Sequence, residues 1–325
     1  MHLPRLTQAQ APLTSEIEAV NEFGALQEVS IPAERALTVY VDKRELVTLM
    51  TLGAHPELLV LGYLRNQRLV RSVADIESVT VDWEVGAAAV KTRFGIEAIA
   101  EKTARRVVTT GCGQGSVFGG LMDEVDRIAL PASAGITQAQ LYSLVNTIRL
   151  EETTYKSAGS VHACALFSTA GEAPRMLLFI EDVGRHNAID TIAGWMWMQE
   201  PAPTLPTARD SLAPEAAASF APGSLPLPLG EGRGEAAPVS DTQGLAFYTT
   251  GRLTSEMVIK SAQMGVAVVV SRSGITQMGH QVAQAVGLCA IGRATNKRFL
   301  CYTHAERLQL QPALAGAPGA GRDQA

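Results

Sequence analysis

One of the chain's four cysteines has neighbours suited to reactivity. Cys112 sits in Thr109-Thr110-Gly111-Cys112-Gly113-Gln114-Gly115-Ser116, just after the apolar Val107-Val108. Glycines on both sides remove bulk around the sulfur and let backbone N–H groups point at it. That arrangement lowers a thiol pKa and favours the nucleophilic thiolate. The same letters also suit an inert cysteine in a flexible glycine turn. Cys164, Cys289 and Cys301 lie inside apolar, strand-like runs and read as core.

Arginines and small hydroxyl residues recur wherever a strand-like run ends. Glu181-Asp182-Val183-Gly184-Arg185-His186-Asn187-Ala188-Ile189-Asp190 places Arg185 and His186 at a helix start, where cations are unfavourable unless an anion is bound. Thr249-Thr250-Gly251-Arg252-Leu253-Thr254-Ser255-Glu256 has the parts of a phosphate cradle, or of a helix-capping turn. It lacks the Gly-Lys-Ser/Thr ending of nucleoside triphosphatases, so triphosphate hydrolysis is unsupported. Ser271-Arg272-Ser273-Gly274 and Ile291-Gly292-Arg293-Ala294-Thr295-Asn296-Lys297-Arg298 repeat the theme. Several arginine-bearing loops on one sheet edge suggest a large anion with more than one phosphate. His162, at the start of an apolar strand, reads equally as a core residue or as part of that edge.

Strand and helix patterns alternate around these segments. Strands are expected at Leu37–Val41, within Val79–Arg93, and at Val161–Phe167, Met176–Ile180, Leu245–Thr249, Val266–Val270, Leu288–Ile291 and Phe299–Tyr302. Helices are expected at Pro56–Arg65, with its N-terminal proline, and at Thr137–Arg149, where Thr137 and Gln140 form a capping-box pair. A further helix has Ile189, Ile192, Ala193 and Met196 on one face. Two more run Thr254–Met264 and Thr276–Val286, the last with Met278, Val282, Ala285 and Val286 inward and Gly287 as terminator. The fold class is α/β, with helices on both faces of a mixed sheet. Residues 1–35 read as a mobile arm, 36–104 as a smaller N-terminal α/β part and 105–308 as the core. The Pro/Ala-rich stretch 200–243 reads as a disordered insertion or a linker, and 309–325 as a disordered tail.

With 325 residues and 46% apolar content the chain can bury a sizeable core. Its net charge of −5 argues against nucleic acid or an anionic membrane surface as the main partner. No apolar run has the length of a membrane span or a secretory leader, which points to a cytoplasmic location with reduced cysteines. No CxxC is present, which excludes a zinc-finger-type cysteine site. The His-x-Glu and Pro-Cys-x-x-Cys strings of zinc deaminases are also missing.

Together the ordered segments resemble the FdhD family, accessory sulfurtransferases needed for active formate dehydrogenase. The likeness rests on the Cys112 loop, Gly159 to His162, Glu181 to Ala188, Gly251 to Lys260, Ser271-Arg272-Ser273 and Tyr302-Thr303-His304. It implies a cytidine-deaminase-like core and a homodimer. It also implies sulfur relay from a cysteine desulfurase to the bis(molybdopterin guanine dinucleotide) molybdenum cofactor, with a GDP-like nucleotide able to occupy the same site. Carried across, Cys112 would hold the persulfide. The segment Ile291, Gly292, Arg293, Ala294, Thr295, Asn296 and Arg298 would contact the cofactor, with Arg185, His186, Thr250, Gly251, Arg252 and Arg272 gripping phosphates or orienting sulfur delivery. Many relatives have Cys-x-x-Cys in the loop. Here glycine, Gly115, holds the second place, so the relay would use one loop thiol. A non-catalytic chaperone for the cofactor or apo-enzyme and a plain guanine-nucleotide module are the competing readings.

Overall fold

The computed structural model describes residues 3–96, 107–108, 115–116, 125, 128–151, 153–199 and 244–314. Cys112 and its neighbours 109–114, the insertion 200–243 and residues 315–325 lie outside them.

The N-terminal part is a five-stranded sheet covered by one helix. In chain order it contains β1 (Arg5–Leu6), the hairpin β2 (Thr14–Val20) and β3 (Leu26–Pro32), β4 (Arg35–Val41), β5 (Arg44–Thr51), α1 (Pro56–Asn66), β6 (Ile76–Asp82) and β7 (Ala87–Thr92). The sheet order is β1-β6-β7-β4-β5, with β2 and β3 paired only to each other. Over residues 3–35, where the sequence suggested an arm, the structure thus has three strands. Their pairing partners are remote or exposed, so no apolar alternation announces them: Ile17, Val20, Phe23 and Leu26 all face solvent.

Two short paired strands follow, β8 (Val107–Val108) and β9 (Gly115–Ser116), antiparallel and on either side of residues 109–114 in the sequence. β10 (Ile136–Thr137) leads into α2 (Gln138–Leu150), whose start carries the expected capping box between Thr137 and Gln140. Then come α3 (Thr154–Ala158), β11 (His162–Ser168), β12 (Arg175–Asp182), α4 (Arg185–Gln199), β13 (Leu245–Thr249), α5 (Ser255–Gln263), β14 (Val268–Ser271), α6 (Gln277–Val286), β15 (Cys289–Thr295), β16 (Arg298–Cys301) and β17 (Leu308–Gln309).

Six of these strands form the main sheet, in the order β12-β11-β13-β14-β15-β16. β13, β14 and β15 run parallel, as the helices between them require, while β11 and β16 run antiparallel to their neighbours. Both faces are covered, so the central strands are apolar without alternation. Leu166, Phe247, Val269 and Ala290 face a core shared with α1, α4, α5 and α6. Phe167, Tyr248, Val270 and Ile291 face a second core under α2.

The first core also reaches into the N-terminal sheet, because α1 lies against α4. The two helices cross where Gly62 meets Gly194: a β-carbon on Gly62 would strike the Asp190 carbonyl, and one on Gly194 the Leu58 carbonyl. This close approach buries α4 on every side, not along the single stripe that Ile189, Ile192, Ala193 and Met196 suggested. α6 is also rotated from the expected stripe. Gly279, Val282, Ala283 and Val286 face inward, and Met278 and Ala285 face out. Gly279 packs against the Leu253 carbonyl, a contact that a hydrophobic count misses. Gly287 ends the helix in the left-handed conformation, φ 73°.

The segment 291–298 differs from its expected loop. β15 continues to Thr295 and turns through Asn296 and Lys297 into β16, with Thr295 paired to Arg298. Among the described residues no helix is long and apolar enough to cross a membrane.

Candidate functional site

The register of the main sheet gathers the sequence-predicted segments on one edge. His162 pairs with Asp182, Cys164 with Thr249, and Thr249 with Ser271. The loops after β12, β13 and β14 therefore leave the sheet side by side, where ligands of open α/β sheets bind. Backbone and hydroxyl bonds stitch them together. Thr250 N–H donates to the Ala163 carbonyl (2.9 Å), and Ala163 N–H donates to Thr250 Oγ1 (3.0 Å). Ser271 Oγ donates to the Gly251 carbonyl (2.7 Å) and Ser273 Oγ to the Thr250 carbonyl (2.8 Å). Arg293 N–H donates to the Ser273 carbonyl at 2.7 Å.

Arg185 lies at the centre of this edge. It is only 5% exposed, and its stem lies on Gly251. Among the described residues, neither its Nε nor its Nη2 meets a hydrogen-bond acceptor. Buried guanidinium donors without partners are costly, and an anion is the group that would satisfy them. The helix start itself is served by Asp182, whose carboxylate accepts from Gly184 N–H (3.0 Å), Asn187 Nδ2 (2.8 Å), Leu52 N–H (3.1 Å) and the Thr51 hydroxyl. Burial pushes the Asp182 carboxyl up, against the pull of those four donors. Asp182 thereby ties the end of β5 to the beginning of α4 and leaves Arg185 free to face the edge.

His162 registers the same excess of positive charge. Burial lowers its pKa first, and Arg185, His186 and Arg252 lower it further. Three cationic or potentially cationic groups thus converge on one half-buried imidazole. Arg252 and Arg272 are exposed to solvent on the loops after β13 and β14.

His186 faces inward, to the head of a buried polar chain. Its Nδ1 stands 3.3 Å from Glu256 Oε1. Glu256 Oε1 is 3.4 Å from Lys260 Nζ, Lys260 donates to Asp190 Oδ2 at 2.9 Å, and Asn66 Nδ2 donates to Asp190 Oδ1 at 2.7 Å. Burial lowers the Lys260 pKa, yet Asp190 and Glu256 outweigh it and push it up to about 12. Sequence reasoning passed over Lys260, Glu256 and Asn66 as site-supporting residues. The one available signal was the i,i+4 pair Glu256/Lys260 on an otherwise apolar helix.

Next to the edge, a groove of about 680 Å³ is lined by Gln138, Tyr142, Arg293, Thr295, Lys297 and Arg298 among others. Of the predicted contacts there, Arg293, Thr295, Asn296 and Arg298 are exposed. Ile291 and Ala294 are buried in the core under α2 and offer no side chain to a ligand. Gly292 is closed off by the Tyr302 ring and the Ser273 carbonyl. An alternating strand cannot present consecutive residues to one ligand. Cys112 lies outside the described residues, so its place relative to this edge is not described. Cys164 is fully buried, and burial pushes its thiol up to about 12, which makes it inert at neutral pH. No cluster of three metal-ligating side chains occurs among the described residues.

The sequence matches the FdhD/NarQ family over residues 32–205 and 234–309. The chain belongs to that family. Within it, the chain is 26% identical over 291 residues to the sulfur carrier protein FdhD of Listeria innocua, covering 88% of this chain and 95% of the relative. Against the sulfur carrier protein FdhD of Bacillus subtilis it is 27% identical over 276 residues, 85% and 89% of the two chains. A crystal structure of a protein assigned as a formate dehydrogenase accessory protein, from Desulfotalea psychrophila, has the same fold. Its TM-score is 0.63 at 19% identity, covering 91% of this chain and all of the other. The stretch 206–233, which the FdhD/NarQ match skips, falls inside the Pro/Ala-rich insertion.

Proposed function

We propose that this FdhD/NarQ member is the sulfur carrier for a formate dehydrogenase. In this reading the Cys112 thiolate attacks the outer sulfur of a cysteine desulfurase persulfide, which releases the desulfurase thiolate and leaves a persulfide on Cys112. The outer sulfur then passes as a neutral sulfur atom to the bis(molybdopterin guanine dinucleotide) molybdenum cofactor, the substrate of the transfer, which would supply the two electrons of the new bond while the S–S bond breaks and the Cys112 thiolate is released. The protein acts formally as a sulfurtransferase through one loop thiol, as a cytoplasmic homodimer, on a cytidine-deaminase-like core. The names of its relatives support the sulfur-carrier role, and the resemblance of its motifs implies the remaining assignments.

The observation that carries the anionic part of the proposal is the buried Arg185 guanidinium, two of whose donors have no partner among the described residues. From it a continuous path of contacts runs through Gly251, Thr250 and Ser273 to Arg293 and the adjoining groove. Such a path suits an extended ligand with several phosphates, and GDP is the simplest probe of it. Arg185, Arg252 and Arg272 would hold phosphates, while Arg293 and Arg298 would meet the ligand's far end.

The relay is tested by incubating the full-length protein with a cysteine desulfurase and cysteine. A gain of one sulfur on the Cys112 peptide is expected, and loss of formate dehydrogenase activity in cells carrying Cys112→Ala. An unlabelled Cys112 peptide together with full complementation by Cys112→Ala would leave the chaperone reading in its place.

A further inference from the structure

Two cysteines that read as core in the sequence are neighbours across the last pair of strands. Ile291 of β15 pairs with Cys301 of β16, which sets Cys289 diagonally opposite Cys301 on the same face of the sheet. The two Sγ atoms are 3.8 Å apart. Cys289 is fully buried, whereas Cys301 is half-buried on the strand that ends the sheet. Apolar side chains would fill this position equally well, and two thiols in contact bring a chemistry that such residues lack.

The pair is asymmetric. A hydrogen bond that either thiol can donate joins the two sulfurs, and with burial it pushes Cys289 up. The same hydrogen bond lowers Cys301. A more exposed thiolate backed by a buried thiol is the arrangement of an attacking and a resolving cysteine.

We propose that Cys289 and Cys301 form a redox-reactive dithiol that closes to an intrachain disulfide on meeting a low-molecular-weight disulfide. The Cys301 thiolate attacks one sulfur of the oxidant, forms a mixed disulfide and releases one small thiolate. Cys289 then loses its proton and attacks Cys301 Sγ, which forms the Cys289–Cys301 bond and releases the second thiolate. Two electrons pass from the two protein thiols to the small disulfide, which leaves as two thiols.

Closure also acts mechanically. A disulfide needs its sulfurs about 2.05 Å apart. Diagonal strand positions are about 7–8 Å apart at Cα, beyond the usual disulfide span. β16 must therefore shift toward β15, which the last strand of a sheet can do at the lowest cost in broken pairing. Arg298, at the other end of β16, lines the groove beside the cationic edge and would move with it. The inference does not depend on Cys112 or on sulfur relay.

The test uses the full-length protein, oxidised glutathione, and tryptic mass mapping under non-reducing conditions. The expected product joins peptide Ser273–Arg293 to peptide Phe299–Arg307 with loss of two hydrogens. Cys289→Ala should abolish that product and leave glutathione on Cys301, and Cys289→Ser repeats the test with a closer isostere. Cys301→Ser should leave Cys289 unmodified. Native alkylation should label Cys301 at least about tenfold faster than Cys164, as its greater thiolate character demands. Amide exchange across residues 298–301 should change on oxidation and return on reduction. Failure to form the crosslink, or glutathione remaining on Cys301 with Cys289 intact, would overturn the proposal.

Discussion

Arg185 and Gly251 fit each other as stem and floor: a β-carbon at Gly251 would come 2.5 Å from Arg185 Cδ. Glycine at the turn after β13 is thus required by its neighbour's side chain, since its φ is not in the left-handed range. Gly251→Ala is expected to displace the guanidinium and weaken GDP binding at least about tenfold, about 1.4 kcal/mol. Far-ultraviolet circular dichroism should remain unchanged. Calorimetric titration of the variant against the parent chain measures the effect, and equal affinities would show that Arg185 does not hold the ligand.

Arg185 also sets binding against stability. Its two buried donors, without a partner among the described residues, cost folding on the order of 1–3 kcal/mol until a ligand satisfies them. Arg185→Met should bind GDP poorly and yet melt about 2–4 °C higher than the parent in the absence of ligand. Saturating GDP should raise the parent's melting temperature and leave that of the variant where it was.

His162 offers a pH readout of the same edge. Its folded pKa lies below the ordinary 6.5, by burial first and then by Arg185, His186 and Arg252. A lowered pKa means that the folded state prefers the neutral imidazole. Its contribution to stability is present above pH 6.5 and is lost as pH falls through the folded value. An anion bound among these cations should move the His162 pKa upward, so anion affinity rises as pH falls through that range. Imidazole proton shifts followed with and without GDP would show it. An unmoved titration would place the anion elsewhere.

The buried chain under His186 should be stiff and unforgiving. Lys260 and Asp190 are each 2% exposed, so removing one partner leaves an uncompensated charge. Lys260→Met is expected to cost about 3–5 kcal/mol in urea unfolding, and Lys260→Met with Asp190→Leu much less. Additive losses in the pair would mean that the two groups do not depend on each other.

Glycine at the α1–α4 crossing reverses the usual helical rule. In an exposed helix Gly→Ala stabilises by about 1 kcal/mol. At Gly62 the added methyl would strike the Asp190 carbonyl, so Gly62→Ala should destabilise by about 2 kcal/mol or more and disturb the Asp190–Lys260 contact as well. A higher melting temperature for Gly62→Ala would mean that the helices lie further apart.

Much of the core was legible because local signals there are strong. The capping box at Thr137 and the strand Leu245–Thr249 stand where the pattern put them. The arginine-bearing segments could be placed on one edge because parallel strands with helical crossovers must end together. Other features depended on partners distant in sequence. α4 has no reliable stripe because α1 covers its far side through Gly62. β2 and β3 bury little, so no apolar period marks them. The role of Arg185 could be suspected from its place at a helix start, but the packing of its stem on Gly251 depends on a segment distant in sequence. Cys289 and Cys301 looked inert as single letters, and their proximity follows only from the register of β15 and β16.

The two ends of the main sheet differ in how freely evolution can edit them. α4 starts at the cationic edge and runs about 22 Å away from it. The chain rejoins the sheet at Gly244, whose carbonyl accepts from Thr169 N–H at the opposite end of β13 from Thr249. Sequence can be spliced in or trimmed at that joint, as the 200–243 stretch illustrates, without shifting the alignment of the arginine loops. A single residue gained between Thr249 and Gly251 would put every one of those loops out of step.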